Sequence, residues 1–139
     1  GVRLVRDNKQ QHFKSSLTLF DQPSSSRTRA FLKVQDGCNG FCSYCQIPYA
    51  RGASLSVPKD DVLSKSYQLV QDGVSEIVLT GIHIGDYGQE WSSPGCGLAN
   101  LIDEIVAQGA PPRIRISSLE PGELSPELLQ AFVRNKEVL

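Results

Sequence analysis

A chain of 139 residues with 40% apolar and 21% charged side chains has enough material for one soluble domain with a core of its own. A net charge of -1 excludes a global basic field, and no apolar run reaches the roughly 18 residues that would suggest a membrane span. The opening GVRLVRDNKQQ lacks the apolar segment of a signal peptide, so a cytoplasmic location is expected.

Charge is unevenly spread. Residues 1–29 carry six basic groups and two acidic ones, net +4, which leaves -5 for the other 110 residues. Such an arm can touch RNA or phosphate; a solvated linker accounts for it equally well. The chain starts with Gly and contains no Met, as expected of a piece of a longer protein or a processed chain.

Residues 1–28 show little periodicity. HFKSSLTLF has the composition of a short strand, and DQPSSSRTR after it is linker-like. A first domain boundary therefore falls near residue 28, with one folded unit over 29–139. AFLKVQ (30–35) predicts a strand, followed by a long loop that holds three cysteines. Val57-Pro58-Lys59-Asp60-Asp61 reads as a helix start. That helix would run to about Asp72, with Val62, Leu63, Tyr67 and Val70 inward and Gly73 as its stop.

EIVLT (76–80) is the second predicted strand, and its continuous apolar run suits a covered parallel sheet. A Gly-rich loop, 81–97, leads to a helix with Leu98, Leu101, Ile102, Ile105 and Val106 at helical spacing, ended by Gly109. RIRIS (113–117) is a third strand. Ser125 caps a third helix with Leu128, Leu129, Phe132 and Val133 inward. The order β-α-β-α-β-α predicts an α/β fold with parallel strands and right-handed crossovers, about half of a small barrel. In such sheets chemistry sits at the carboxyl ends of the strands. The three loops there hold the cysteines, His83 and Glu120.

Residues 38–45 read CNGFCSYC: three thiols in eight residues, with Cys96 as the remaining cysteine. In a reducing compartment a disulfide would leave one of them odd. A zinc site would need a distant fourth ligand, His83 or Cys96, and there is no second short couplet of the zinc-knuckle kind. Three thiolates can instead hold three irons of a 4Fe-4S cube and leave the fourth iron open to a ligand that is not protein. An open metal position is a chemical site, which gives the number three a purpose. The spacing leaves two readings: that cluster, or a structural zinc module built on Cys38, Cys42, Cys45 and His83 with a basic arm for nucleic acid.

CxxxCxxC with Tyr44 just before the last cysteine, directly after a first strand, resembles the radical S-adenosylmethionine superfamily. The longer string VQDGCNGFCSYCQIPYARG (34–52) resembles the methylthiotransferases within it. VLTGIHIGDYG (78–88) and RIRISSLEPGELSPELL (113–129) resemble the branch that methylthiolates threonylcarbamoyl-adenosine next to the anticodon of tRNA. The resemblance covers the chain from about Arg27 onward.

The resemblance implies a partial TIM-like barrel in which Cys38, Cys42 and Cys45 hold the cluster and the open iron chelates S-adenosylmethionine. It implies that Tyr44 packs on the adenosine and that Thr80-Gly81 receives the methionine amino group. Ser117, Ser118 and Glu120 fall where members of the family make polar contacts to ribose or carboxylate. Each has a plainer role open to it: Tyr44 as cover for the loop, Glu120 as a cap of the Pro121-Gly122 turn. His83 may be read as substrate-facing or as an ordinary loop histidine, Trp91 as packing or base-contacting, and Cys96 as an incidental thiol. A tRNA substrate and a reducing electron donor are the implied partners. Sibling branches act on isopentenyl-adenosine or on a ribosomal protein.

The family usually follows ARG with a basic segment. Here Leu55 and Val57 stand where charge is expected, which would weaken contact with phosphate or a cofactor carboxylate near the mouth of the site. The full enzymes also carry an amino-terminal domain with three further cysteines and a carboxyl-terminal RNA-binding domain. Neither is found in these 139 residues, so the chain alone is expected to fall short of complete methylthiolation.

Overall fold

The computed structural model describes residues 28–91, 95–109, 111 and 113–139. The basic arm and the strand expected in HFKSSLTLF lie outside the described residues. Three parallel strands form the main sheet: β1 (Arg29–Lys33), β4 (Glu76–Thr80) and β5 (Arg113–Ile116), in the order β1-β4-β5. The register sets Phe31 beside Val78 and Val78 beside Arg115. Helix α2 (Lys59–Gln71) connects β1 to β4, α3 (Leu98–Ala107) connects β4 to β5, and α4 (Pro126–Arg134) follows β5. This is the α/β layout of a partial TIM-like barrel, as the alternation of elements predicts.

Period-2 alternation decides which face of the sheet is covered. Leu32, Ile77, Leu79 and Ile114 point to the helices and are buried. The opposite face carries Arg29, Phe31, Glu76, Arg113 and Arg115, with Glu76 Oε1 2.6 Å from Arg29 Nε and 3.9 Å from Arg115. Val78 points to that same face and is still buried, so EIVLT is covered on both sides over Ile77, Val78 and Leu79, as its apolar run predicts, with half-buried Glu76 and Thr80 at its ends. The core runs from the sheet into Val62, Leu63 and Leu69 of α2, Leu98, Leu101, Ile102 and Ile105 of α3, and Leu128 of α4.

Three inward assignments change. Tyr67 is half exposed because Ser66 takes the buried place on α2, and its small side chain lets the helix approach the sheet. Leu129 and Val133 are exposed because α4 packs edge-on against α3 through Leu128 and Ala131. Asp103 of α3 accepts from Arg134 and Asn135 at 2.6 Å each and fixes that contact. Ser125 caps α4 as expected, accepting from Leu128 N at 3.2 Å.

The predicted strand 30–35 is split. β1 stops at Lys33, and the chain then turns into β2 (Gln35–Asp36), which pairs antiparallel with β3 (Leu55–Ser56). Val34 joins the two: its N–H donates to Thr80 O at 2.9 Å and its carbonyl accepts from Val57 N at 2.8 Å. The small β2–β3 ladder closes the neck of the cysteine loop, which also holds an unforeseen short helix, α1 (Ile47–Arg51). Among the described residues no helix is long and apolar enough to cross a membrane.

Candidate metal centre

The cysteine loop leaves the sheet at the carboxyl end of β1. Gly37, at φ 75°, packs so closely on the Ala53 carbonyl that a Cβ would collide with it. Cys38 N–H donates to Gly52 O at 3.1 Å and Ser54 N–H to Asn39 Oδ1 at 3.1 Å, so both ends of the loop are pinned together. Asp36 takes Lys33 Nζ at 2.8 Å and Gly37 N–H at 2.8 Å at the same neck.

Above the neck stand the thiols. Cys38, Cys42 and Cys45 are free and reach solvent, Cys42 most of all. Gly40 lies between two of them: a Cβ there would sit 3.3 Å from Cys38 Sγ and 3.8 Å from Cys42 Sγ. The Gly40 N–H also donates to Cys38 Sγ at 3.2 Å, and hydrogen bonds to cluster sulfurs are one means of setting a cluster's potential. Cys45 N–H closes a turn on Cys42 O at 2.9 Å. Phe41 is held at φ 44°, a left-handed conformation that costs a non-glycine residue energy. Among the described residues the other such non-glycine is Ser118 at φ 58°, in the loop after β5. Both strained positions lie at the carboxyl ends of strands.

A tetrahedral zinc with Zn–S bonds of about 2.3 Å needs its sulfurs roughly 3.8 Å apart. Among the described residues, His83, Asp86 and Glu123 are the trio whose ligand atoms all lie within 4.8 Å of one another, and the three cysteines do not form such a trio. His83, the fourth ligand in the zinc reading, is turned elsewhere: Nδ1 lies 3.1 Å from Asp86 Oδ2 and Nε2 2.6 Å from Glu123 Oε1. Each ring nitrogen thus faces a carboxylate and not a thiol.

The other sequence-derived positions gather at the same end of the sheet. Thr80 ends β4 and Gly81 follows, where a Cβ would meet Gln35 Oε1 at 2.7 Å. Glycine at 81 is therefore demanded by Gln35 itself. Ser117 donates through both its N–H and its hydroxyl to Leu79 O at 3.1 Å, so its side chain ties β5 to β4. Glu120 is exposed and shares a capping box with Glu123, whose carboxylate accepts from Glu120 N at 2.6 Å. Tyr44 is 86% exposed and so covers nothing among the described residues; Phe41 and Tyr49 beside it form a T-shaped pair at 5.8 Å. Trp91 packs edge-on to Tyr87 at 5.4 Å, and Cys96 lies across from Gly88 in the loop before α3.

Val57 corrects one expectation. It is fully buried, so a cation at this position would lie in the core rather than at the mouth of the site. The Val57 carbonyl instead accepts from the buried Tyr87 hydroxyl at 3.0 Å. Burial pushes the Tyr87 hydroxyl well above the ordinary tyrosine range, with nearby Glu90 adding to it. A raised pKa in the folded state means stability that is present below about pH 10 and lost as pH rises beyond it. Alkaline titration followed by circular dichroism is expected to show this loss, and Tyr87→Phe to flatten it.

Sequence reasoning missed Gln35, Ser54 and Glu123. A glutamine at the end of an otherwise apolar strand was the available signal for the first. A groove of about 1010 Å³ lies away from the three thiols, between the loop after β4 and the start of α4. Four carboxylates, Asp86, Asp103, Glu123 and Glu127, line it beside Arg134. Such a lining gives the groove a negative potential that disfavours anions.

The chain thus sets three free cysteines on the first carboxyl-end loop of a parallel α/β sheet, and residues 32–138 match the Radical SAM superfamily. The chain belongs to that superfamily. It is 43% identical over 79% of its length to the threonylcarbamoyladenosine tRNA methylthiotransferase of Chlamydia pneumoniae, and 40% identical over 83% to that of Bacillus subtilis. It is also 34% identical over 81% of its length to the tRNA-2-methylthio-N(6)-dimethylallyladenosine synthase of Methylobacillus flagellatus. The chain spans about a quarter of the length of these relatives: 25%, 25% and 26%.

Proposed function

We propose that residues 29–139 form the first part of the catalytic core of a cytoplasmic tRNA methylthiotransferase, with Cys38, Cys42 and Cys45 as ligands of a 4Fe-4S cluster. The observation that carries this is three free thiols on one strand-end loop, two of them flanking Gly40, where no side chain intrudes. Held by Cys38, Cys42 and Cys45, the cluster would pass one electron from an external reductant to S-adenosylmethionine and so supply its reductive cleavage, with methionine as the leaving group. The protein's part is to bind, orient and keep water out. Tyr44, exposed beside Cys45, is free to pack on the adenosine. Thr80 and Gly81 offer backbone at the end of the central strand to the methionine amino group. Glu120 is exposed and can accept from the ribose hydroxyls, and Ser117 fixes the turn that carries it.

The preferred substrate is threonylcarbamoyl-adenosine, supported by the motifs at 78–88 and 113–129 and by the higher identity to relatives named for it. The test is anaerobic turnover of the full-length protein with a reductant, S-adenosylmethionine and tRNA bearing either threonylcarbamoyl- or isopentenyl-adenosine, read by nucleoside mass spectrometry. Methylthiolation of the first supports the reading. Preference for the second moves the chain to the sibling branch. A protein that holds one zinc per chain and forms no 5′-deoxyadenosine refutes the enzyme reading.

A further inference from the structure

Gln35 is a fully buried polar side chain, placed where the cysteine loop leaves the sheet. Its amide nitrogen donates to Gly37 O at 2.8 Å, Ser54 Oγ at 2.8 Å and Asp36 O at 3.1 Å. Its amide oxygen accepts from His83 N at 2.9 Å. One face of the amide thus meets only acceptors from the two sides of the cysteine loop, and the other meets a backbone donor from the loop after β4. Only a carboxamide supplies both at once: a carboxylate has no donor, and an aliphatic chain has neither. Beyond His83 the ring reaches Asp86 and Glu123, and Glu123 holds the Glu120 backbone after β5. Gln35 thus ties both sides of the cysteine loop to the loop after β4.

We infer that Gln35 is a positioning residue of the metal centre: it registers the cysteine loop against the loop after β4, which carries Gly81, and so fixes where the thiols stand. This rests on the cluster reading above. Gln35 touches no thiol; it acts through Gly37, one residue before Cys38, and through Ser54, which closes the loop's far end by donating to Asn39. Groups that orient metal ligands from behind commonly alter metal affinity by about 10- to 100-fold when removed.

The test compares the full-length protein with Gln35→Leu, Gln35→Glu and Leu101→Ala, the last a core truncation in α3 that leaves the loop's contacts in place. Each is reconstituted anaerobically, and iron and sulfide are counted against a Cys42→Ala background. The reduced protein is examined by electron paramagnetic resonance, and thermal midpoints are recorded alongside. Both Gln35 variants are expected to hold the cysteine-dependent cluster roughly 10-fold more weakly and to show altered resonance positions. Leu101→Ala is expected to lose stability while its spectrum stays that of the unsubstituted protein. If Gln35→Leu does not fold, Ser54→Ala removes one acceptor of the same amide and is expected to shift the spectrum in the same direction. Gln35 or Ser54 variants with unchanged spectrum and occupancy overturn this inference alone. An unsubstituted protein with no cysteine-dependent iron overturns the cluster reading and this inference with it.

Discussion

Alanine at Cys42 is expected to remove about four irons and four sulfides per chain from the anaerobically reconstituted protein, because a cube held by two thiolates loses a corner to solvent. Cys42 is the sharpest of the three positions to test. It is the most exposed thiol, so its loss opens no cavity in the core, and a fall in iron reads ligation rather than unfolding. It also flanks Gly40 together with Cys38, so its sulfur stands on the shared side of the loop. The measurement is a difference in iron, sulfide and zinc between the variant and the unsubstituted protein, which cancels metal held elsewhere in a longer chain. A difference of one zinc and no sulfide would instead establish a single-ion site.

Leu79→Ala is expected to give the largest loss of stability. Leu79 lies in β4, the central strand, fully buried between Leu32 of β1 and Ile116 of β5. Truncating such a side chain removes transfer energy and leaves a cavity, together about 2–5 kcal/mol. Denaturant titration measures it. Phe31→Ala, at a half-exposed position of β1, is expected to cost much less, and equal losses at the two sites would contradict the exposure of Phe31.

The apolar spacing of α3 and the breaks at Gly73 and Gly109 were legible because they are local: helix and strand periods are written in neighbouring residues. The placing of three thiols on one strand-end loop was legible for the same reason, since they fall within eight residues. Tyr67, Leu129 and Val133 were misplaced because an apolar residue near the edge of a helical stripe is buried only if a partner lies on that flank. The split of 30–35 into two strands was hidden because β2 exists through its pairing with residues 55–56, some twenty positions on.

The residues by themselves determined an α/β chain of parallel strands, with three thiols within eight residues on the loop after the first of them. Tertiary structure alone decided that His83 faces Asp86 and Glu123 rather than a thiol, that Val57 is core rather than mouth, and that Gln35 joins the loops. Each of these rests on contacts between segments far apart in sequence. A polar side chain is committed by whichever distant donor or acceptor is buried beside it, and that neighbour is set by the packing of the sheet.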